Sequence, residues 1–463
     1  MKDNTDTLVQ AAIAITGAAL VIGLNFIAIK GIVVFMALML ALLILWRVET
    51  GLILLVLFLP FLPATLAVGL VALTVLSYII KLFNGQASFN LTPLALYLFI
   101  FALVLVFAVV FSATPQSSLK TGVVWLLYLA LYPVIINTVK EKRFLYLLLF
   151  LLVVSATLQS LYGIYQYGAG LFIDTEGWTD PELFADIKTR VIGTLDNPNI
   201  LAQYLELVIP LSLALFWTTR HWAKKMVFMT CTIIMTLCML LTYSRAGWIA
   251  LALSILVFGL LRDRKVVLLG ALALLVAVYY LPGTFMNRLS SIGNMGESSI
   301  MYRTFVWKSA LYMLKDFWFS GVGLGTNAFS AIYNQFYMRE GVFAFHTHNL
   351  YLQLWIETGI LGLLSFLTVV FVNIKHALSA LLQTHNIVIK AILASFLAGL
   401  SGFLFHGLME HSFYNFKILL LFWTVIALIM AMHNMVFAAA DEKPEENQGL
   451  LPAGFSGNAC KES

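Results

Sequence analysis

The chain has 463 residues, of which 61% are hydrophobic and only 11% charged, with a net charge of +5 and a mean hydropathy of +0.95. A water-soluble domain of that composition would expose a large apolar surface, so lipid is its solvent. The positive balance fits basic anchors on the cytoplasmic side of a membrane, and no nucleic-acid binding is read from it.

Apolar runs near the length that crosses a hydrocarbon core, roughly 20 residues, follow one another almost end to end. They lie near 8–24, 27–46, 51–64, 66–83, 91–111, 119–138 and 144–167, then 197–217, 225–243, 245–261, 264–281, 349–372, 387–407 and 416–436. The first four are so close together that one or two are candidates for re-entrant segments. Strand alternation is absent and a helix satisfies its own backbone in lipid, so the predicted fold is an all-α polytopic transmembrane bundle of about 12–14 spans. Asp3 and Asp6 stand against a single Lys2 at the N-terminus, so the first run reads as a span rather than a secretory signal. The tail 437–463, with Glu442, Pro444, Glu445 and Glu446, reads as a disordered cytoplasmic end. Cys231, Cys238 and Cys460 form neither a disulfide framework nor a zinc spacing.

With a cytoplasmic N-terminus, the inside turns hold Arg47, Lys81, Lys140/Lys142/Arg143, Arg220/Lys224/Lys225, Arg262/Arg264/Lys265, and Lys375 with Lys390. That is the positive-inside pattern of a multi-pass protein of the cytoplasmic (inner) membrane with both termini inside. The same orientation exports two longer segments, 168–196 and 282–347. Neither carries a basic cluster, and the first is acidic through Asp174, Glu176, Asp180, Glu182 and Asp186. Chemistry there must use substrates available outside, where there is no nucleotide pool. The predicted organisation is 1–190, N-terminal spans and first exported loop; 191–436, a membrane domain containing the second loop; and 437–463, the tail.

A connection as long as 282–347 tends to carry its own structure and function. Residues 299–317 read as an amphipathic helix with Arg303, Trp307, Leu311 and Leu314 near one face, and the aromatics Trp307, Tyr312, Trp318, Tyr333 and Tyr337 suit the headgroup layer. An interfacial cover helix without chemistry is the alternative on this pattern. At the outer junction of two spans, Ser244 suits an N-cap and places Arg245 in a helix's first turn, where guanidinium and helix N-terminus together suit an anion. The alternative is an arginine snorkelling to the interface.

His348, Tyr351, Trp355, Gly359 and Gly362 fall on one helical stripe, which would anchor the imidazole to a packed scaffold. Near neutrality it could accept a proton from an acceptor hydroxyl. His346 with His348 could instead bind zinc, but third and fourth ligands are missing at recognisable spacing, so no metal is expected. Arg303 adds a second cation in the same compartment, and two arginines with a histidine suit a lipid-linked phosphate or pyrophosphate. Supporting positions are Asn199, after the Gly193–Asn199 turn, Asn349, and Glu410 and His411 at an outer helix end. Glu206 and Glu357 lie within spans, and Glu357, half a rotation from the His348 stripe, reads as a structural partner. Gly321, Gly323 and Gly325 read as turn glycines.

Over roughly 190–430 these residues resemble the O-antigen ligase and O-antigen polymerase superfamily of membrane glycosyltransferases. Ser244-Arg245-Ala246-Gly247 resembles its Ser-Arg-Gly-type element, and Arg303 with Trp307 its loop arginine. His348-Asn349 followed by Gly359 and Gly362 resembles its His-Asn, nine residues, Gly-x-x-Gly pattern, and Asn197-Pro198-Asn199 through Tyr204 is a further similar segment. Ala246 departs from the glycine often found there, and the N-terminal spans match nothing in the pattern. The resemblance implies a glycan transferred from undecaprenyl pyrophosphate to a glycan, lipid or protein acceptor outside the inner membrane, without metal, nucleotide or other cofactor. Arg245 and Arg303 would hold the pyrophosphate, and His348 would activate or position the acceptor hydroxyl. Two other classes stay open: a solute (bicarbonate-like) transporter, which would favour ionisable residues and broken helices near mid-membrane, and a noncatalytic scaffold for glycan assembly.

Overall fold

A computed structural model describes residues 30–171, 184, 186–187, 189–280, 282–291 and 296–441; the predicted span at 8–24 and the tail from 442 onward lie outside them. Among the described residues the secondary structure is helical, with no strand. The first helices are α1 (Lys30–Trp46), α2 (Val48–Phe58), α3 (Ala64–Phe83), α4 (Ala95–Val110), α5 (Pro115–Thr138), α6 (Lys142–Gly168), α7 (Pro198–Thr218) and α8 (Trp222–Leu241). They are followed by α9 (Arg245–Arg262), α10 (Arg264–Tyr280), α11 (Gly283–Ser290), α12 (Ser298–Phe317), α13 (Thr326–Ile332), α14 (Leu350–Gln383), α15 (Ile387–His406) and α16 (Phe416–Asp441). Nine helices among the described residues are long and apolar enough to cross a membrane. Of the shorter apolar helices, α2 has 11 residues and rises only about 16 Å, well short of a hydrocarbon core.

Several starts follow from local chemistry. Asn197 caps α7 by accepting from the Asn199 N–H, with Pro198 at the first helical position. Ser244 caps α9 by accepting from the Gly247 N–H, which leaves Arg245 as the first helical residue. Asn386 does the same for α15, accepting from Val388 and Ile389.

The buried centre is formed by α7, α15 and α16. α15 packs on α7 and α9, while α16 packs on α5 and α14. Gly399 and Gly402 bring the α15 backbone against Leu207 of α7 and Ala250 of α9, close approaches that small residues permit in lipid. One hydrophobic core runs from Val48 to Val436, so the helices before and after residue 190 share it.

In the long connection, α12 forms where the periodicity places it, but its buried face is Val306, Ser309, Ala310, Met313 and Leu314. Leu311, expected on that face, is exposed. The helix is rotated toward Val306 and Ala310, and Arg303 and Trp307 lie half-buried at its flank.

The helical stripe drawn through His348 also needs correction. His348 precedes the N-cap Asn349 and has φ +50°, and α14 breaks at Gly359, with φ 68° and ψ −179°. The break orphans backbone groups that the connecting loop satisfies. Ile360 N–H donates to Trp318 O at 2.9 Å, Val322 N–H to Ile356 O at 2.8 Å and Gly323 N–H to Glu357 O at 3.1 Å. The Glu357 side chain accepts from Gly325 N–H at 2.9 Å and from Gln353 at 2.7 Å. The three loop glycines are turn residues with positive φ, and Glu357 is a structural partner, holding the loop rather than a neighbouring helix.

Gly359→Ala should therefore destabilise the fold: a Cβ would overlap the Phe319 carbonyl, and the φ alone carries a cost of about 1–3 kcal/mol. Gly69→Ala, whose Cβ meets nothing within 4 Å, serves as control. Thermal unfolding in detergent should show a lower midpoint for the first variant and no loss for the second.

Candidate active site

The site lies where α7, α9 and α14 begin and α15 ends. A tight turn carries His348 before α14: Thr347 N–H donates to Gln353 Oε1 at 2.8 Å, and Trp307 Nε1 donates to Thr347 O at 2.7 Å. Asn349 Oδ1 caps α14 by accepting from Tyr351 and Leu352, while its Nδ2 donates to Leu408 O at 3.0 Å. Left-handed φ is uncommon for histidine, and the turn holds it at the boundary between loop and helix.

Glu410 follows α15 and is 1% exposed. Its Oε1 accepts from His348 Nδ1 at 3.0 Å and from the His411 N–H at 3.1 Å, and its Oε2 accepts from Asn199 Nδ2 at 2.8 Å. The Arg303 guanidinium lies 4.0 Å from Oε2. Burial opposes ionisation of this carboxyl, but His348, by its charge when protonated and by its hydrogen bond, and then His346 when protonated and Arg303, outweigh it and hold the group well below the usual carboxylate range. An ionised Glu410 fixes the proton of His348 on Nδ1 and leaves the Nε2 lone pair for a substrate. The His348 side chain is 23% exposed, with Tyr302 edge-on at 5.6 Å.

His346 stacks on Tyr414 at 4.8 Å and sits 4.1 Å from the His348 ring. Burial, followed by the charge of His348, pushes its pKa well down. Burial likewise lowers His411 to about 3, and its Nδ1 has no partner among the described residues. Both rings are therefore neutral at ordinary pH.

Arginines form the other half of the site. Arg245 makes a forked pair with Glu297 and donates to Ser291 Oγ at 2.8 Å; Arg288 donates to the same carboxylate at 2.9 Å. Arg190 donates from Nε to Thr242 O at 2.8 Å and from Nη2 to Asn199 Oδ1 at 3.1 Å. Burial lowers the pKa of Arg190, Arg288 and Arg303, and their mutual repulsion, with that of Arg245, lowers Arg190 and Arg288 further. Arg288 comes down to about 10. Arg303 makes no hydrogen bond within the described residues; its side chain is 21% exposed and its one ion pair is the long contact with Glu410.

The structure thus gathers Arg303, His348, Asn199, Glu410 and His411 directly. Arg245 joins them through the field of the arginine cluster while its fork is engaged by Glu297. Arg190, Arg288 and Glu297 were not anticipated from sequence. Arg190 lies in a segment whose overall charge is acidic, and Arg288 and Glu297 stand in a loop without basic clustering. Their burial would have been the signal, and an isolated charge in a loop does not display it. A third potential metal ligand, also absent from the sequence spacing, is Glu410: one atom from each of His346, His348 and Glu410 lies within 4.8 Å of the others. The arginines around it oppose a further cation.

Buried under the site, His406 Nδ1 contacts Glu206 Oε1 at 2.6 Å. The His406 carbonyl accepts from Met409 and Glu410 N–H groups, so this pair ties the turn carrying Glu410 to α7.

Residues 230–367 match a family model described as O-antigen ligase. The matched stretch contains Arg245, Arg303 and His348, and ends before Glu410. A search of curated proteins found no match.

Two outcomes test the electrostatics. Glu297→Ala would leave Arg245 and Arg288 as buried, uncompensated charges and should destabilise the protein by about 3–5 kcal/mol, read in denaturant or thermal unfolding. Because the folded state lowers the pKa of His346 and His411, it binds fewer protons than the unfolded chain. Their contribution is full above the unfolded value near 6.5 and is lost as pH falls toward the folded values, about 3 for His411. The unfolding midpoint should fall between pH 7 and pH 4, and His411→Asn should flatten that slope.

Proposed function

We propose, from the match of residues 230–367 to an O-antigen ligase family model within a multi-pass membrane protein, that the chain transfers a glycan from an undecaprenyl-pyrophosphate-type carrier to an acceptor hydroxyl. The observation that carries this reading is the Glu410–His348 pair with Nε2 open, beside the partly exposed guanidinium of Arg303. An imidazole of that kind is a base for a hydroxyl, and an arginine without a hydrogen-bonded partner is a partner for phosphoryl oxygen.

The acceptor oxygen attacks the anomeric carbon, its proton passes to His348 Nε2, and the bond to the phosphate breaks with its electron pair on the departing pyrophosphate. Glu410 holds the imidazole in the accepting tautomer and stabilises the imidazolium that forms. Arg303 binds the phosphoryl oxygens, and Arg245 supports them through the cluster, a direct bond requiring exchange with Glu297. Asn199 and His411 orient Glu410, and Asn349 fixes the turn that presents His348. A single displacement inverts the anomeric centre. No metal or cofactor takes part in this scheme. The partners are the lipid-linked oligosaccharide, the membrane and a glycan, lipid or protein acceptor.

The extracytoplasmic location rests on charge. Arg220/Lys224/Lys225, Arg262/Arg264/Lys265 and Lys390 flank the helix ends opposite the site, and the positive-inside pattern supports a reading with both termini inside and the chemistry outside the cytoplasmic membrane. We keep the sequence divisions at about 190 and 437 as the limits of the ligase-like membrane part.

Transport has one observation in its favour, the broken helix at Gly359. The freed backbone groups are bonded by Trp318–Gly323 rather than directed to a solute, and Glu206 and Glu357 are both engaged.

Reconstitution with lipid-linked oligosaccharide and acceptor is the test. His348→Ala should cost about 10²–10⁴-fold in transfer, Arg303→Ala about 10²–10³-fold, and Glu410→Gln an intermediate loss, with normal insertion in each case. Transfer should survive chelator treatment. Unchanged glycan profiles in all three variants would overturn the proposal.

A further inference from the structure

A cavity of about 290 Å³ opens at the end of α6, lined by Tyr167, Gly168, Gly170, Asp186, Ile187, Thr189 and Tyr243. It is near the lower bound of small-molecule sites, about 300 Å³. Tyr243 forms a rigid wall: it is 4% exposed, and its ring stacks on Phe285 at 4.7 Å and leans on Trp248. Thr189 and Ile187 are buried, whereas Tyr167 and Asp186 reach the open side.

Both walls meet the arginine cluster. Thr189 precedes Arg190, and Thr242, whose carbonyl accepts from Arg190 Nε, precedes Tyr243. From Arg190, contacts continue through Asn199 and Glu410 to His348.

We propose that this cavity is a saccharide subsite that holds a sugar ring other than the one that reacts. The proposal rests on the transferase reading for its place in the reaction, but the recognition chemistry stands by itself. The exposed Tyr167 ring offers a face to the C–H side of a sugar, while the Asp186 carboxylate accepts from its hydroxyls and the Thr189 and phenol O–H groups at the wall accept from and donate to them. A phosphate is disfavoured by Asp186 and belongs on the arginines next door. A prenyl chain would bury polar groups without partners. The reacting hydroxyl must lie at His348 Nε2, which is linked to the cavity wall only through successive contacts of Arg190, Asn199 and Glu410 and does not line the cavity, so the ring held here sets specificity rather than undergoing attack.

The test uses full-length protein in lipid nanodiscs, with oligosaccharide released by mild acid from the surface glycan of cells expressing the chain. Saturation-transfer NMR should show binding that Asp186→Asn and Tyr167→Phe each weaken five-fold or more, and that His348→Ala leaves intact. In transfer assays the same two substitutions should raise KM five-fold or more for whichever substrate carries the sugar: a donor effect identifies the carrier-linked glycan, an acceptor effect the incoming one. Binding and both KM values unchanged in the two variants would overturn the subsite while leaving the transferase reading in place. Saccharide binding sensitive to Asp186 without any transfer would keep the subsite and remove that reading.

Discussion

A buried carboxylate must be paired or it neutralises, and the ionised Glu410 is the charge around which this end of the protein is built. α7 contributes Asn199, the turn before α14 contributes His348, α12 contributes Arg303, and its own turn contributes the His411 N–H. Four segments far apart in sequence are therefore positioned by one side chain. The Glu206–His406 contact below it anchors the same turn to α7, so the carboxylate is held from two levels.

A second carboxylate has a different part. Glu297 gathers Arg245 and Arg288, and with them the start of α9, α11 and the start of α12. Arg303, by contrast, makes no hydrogen bond within the described residues and lies 4.0 Å from Glu410. The cluster thus differs in how its charges are engaged: Arg245 and Arg288 share the Glu297 carboxylate, while Arg303 has only a long contact with Glu410. The loop holding these residues is docked by the break at Gly359, where helix hydrogen bonds are exchanged for bonds to Trp318–Gly323. Irregular backbone within this apolar helix is tolerated because the loop supplies partners.

Much was legible in the sequence because it depends on local pattern. Apolar run length gives the helical class, Ser244 and Asn197 mark helix starts by their side-chain oxygens, and the 3.6-residue period places α12. His348 and Glu410 were recognisable as candidates, since polar residues at the ends of apolar helices stand out, and Arg303 because it lies on an amphipathic helix of the long loop. The His348 stripe was misplaced because periodicity cannot register a residue in left-handed conformation or a helix interrupted at a glycine. Arg190, Arg288 and Glu297 gave no signal, because a charge in a polar loop looks solvated until its burial is known.

The sequence by itself determined that this chain lives in lipid, that its backbone is helical, and which end of each helix carries basic anchors. These are consequences of solvation and of hydrogen bonds made within a few residues. Only the tertiary structure decided that Glu410 serves His348 across 62 residues and Asn199 across 211, and that Glu297 takes the fork of Arg245. Coulomb energy and hydrogen bonding depend on separation in space, and helices packed around Gly399 and Gly402 set that separation.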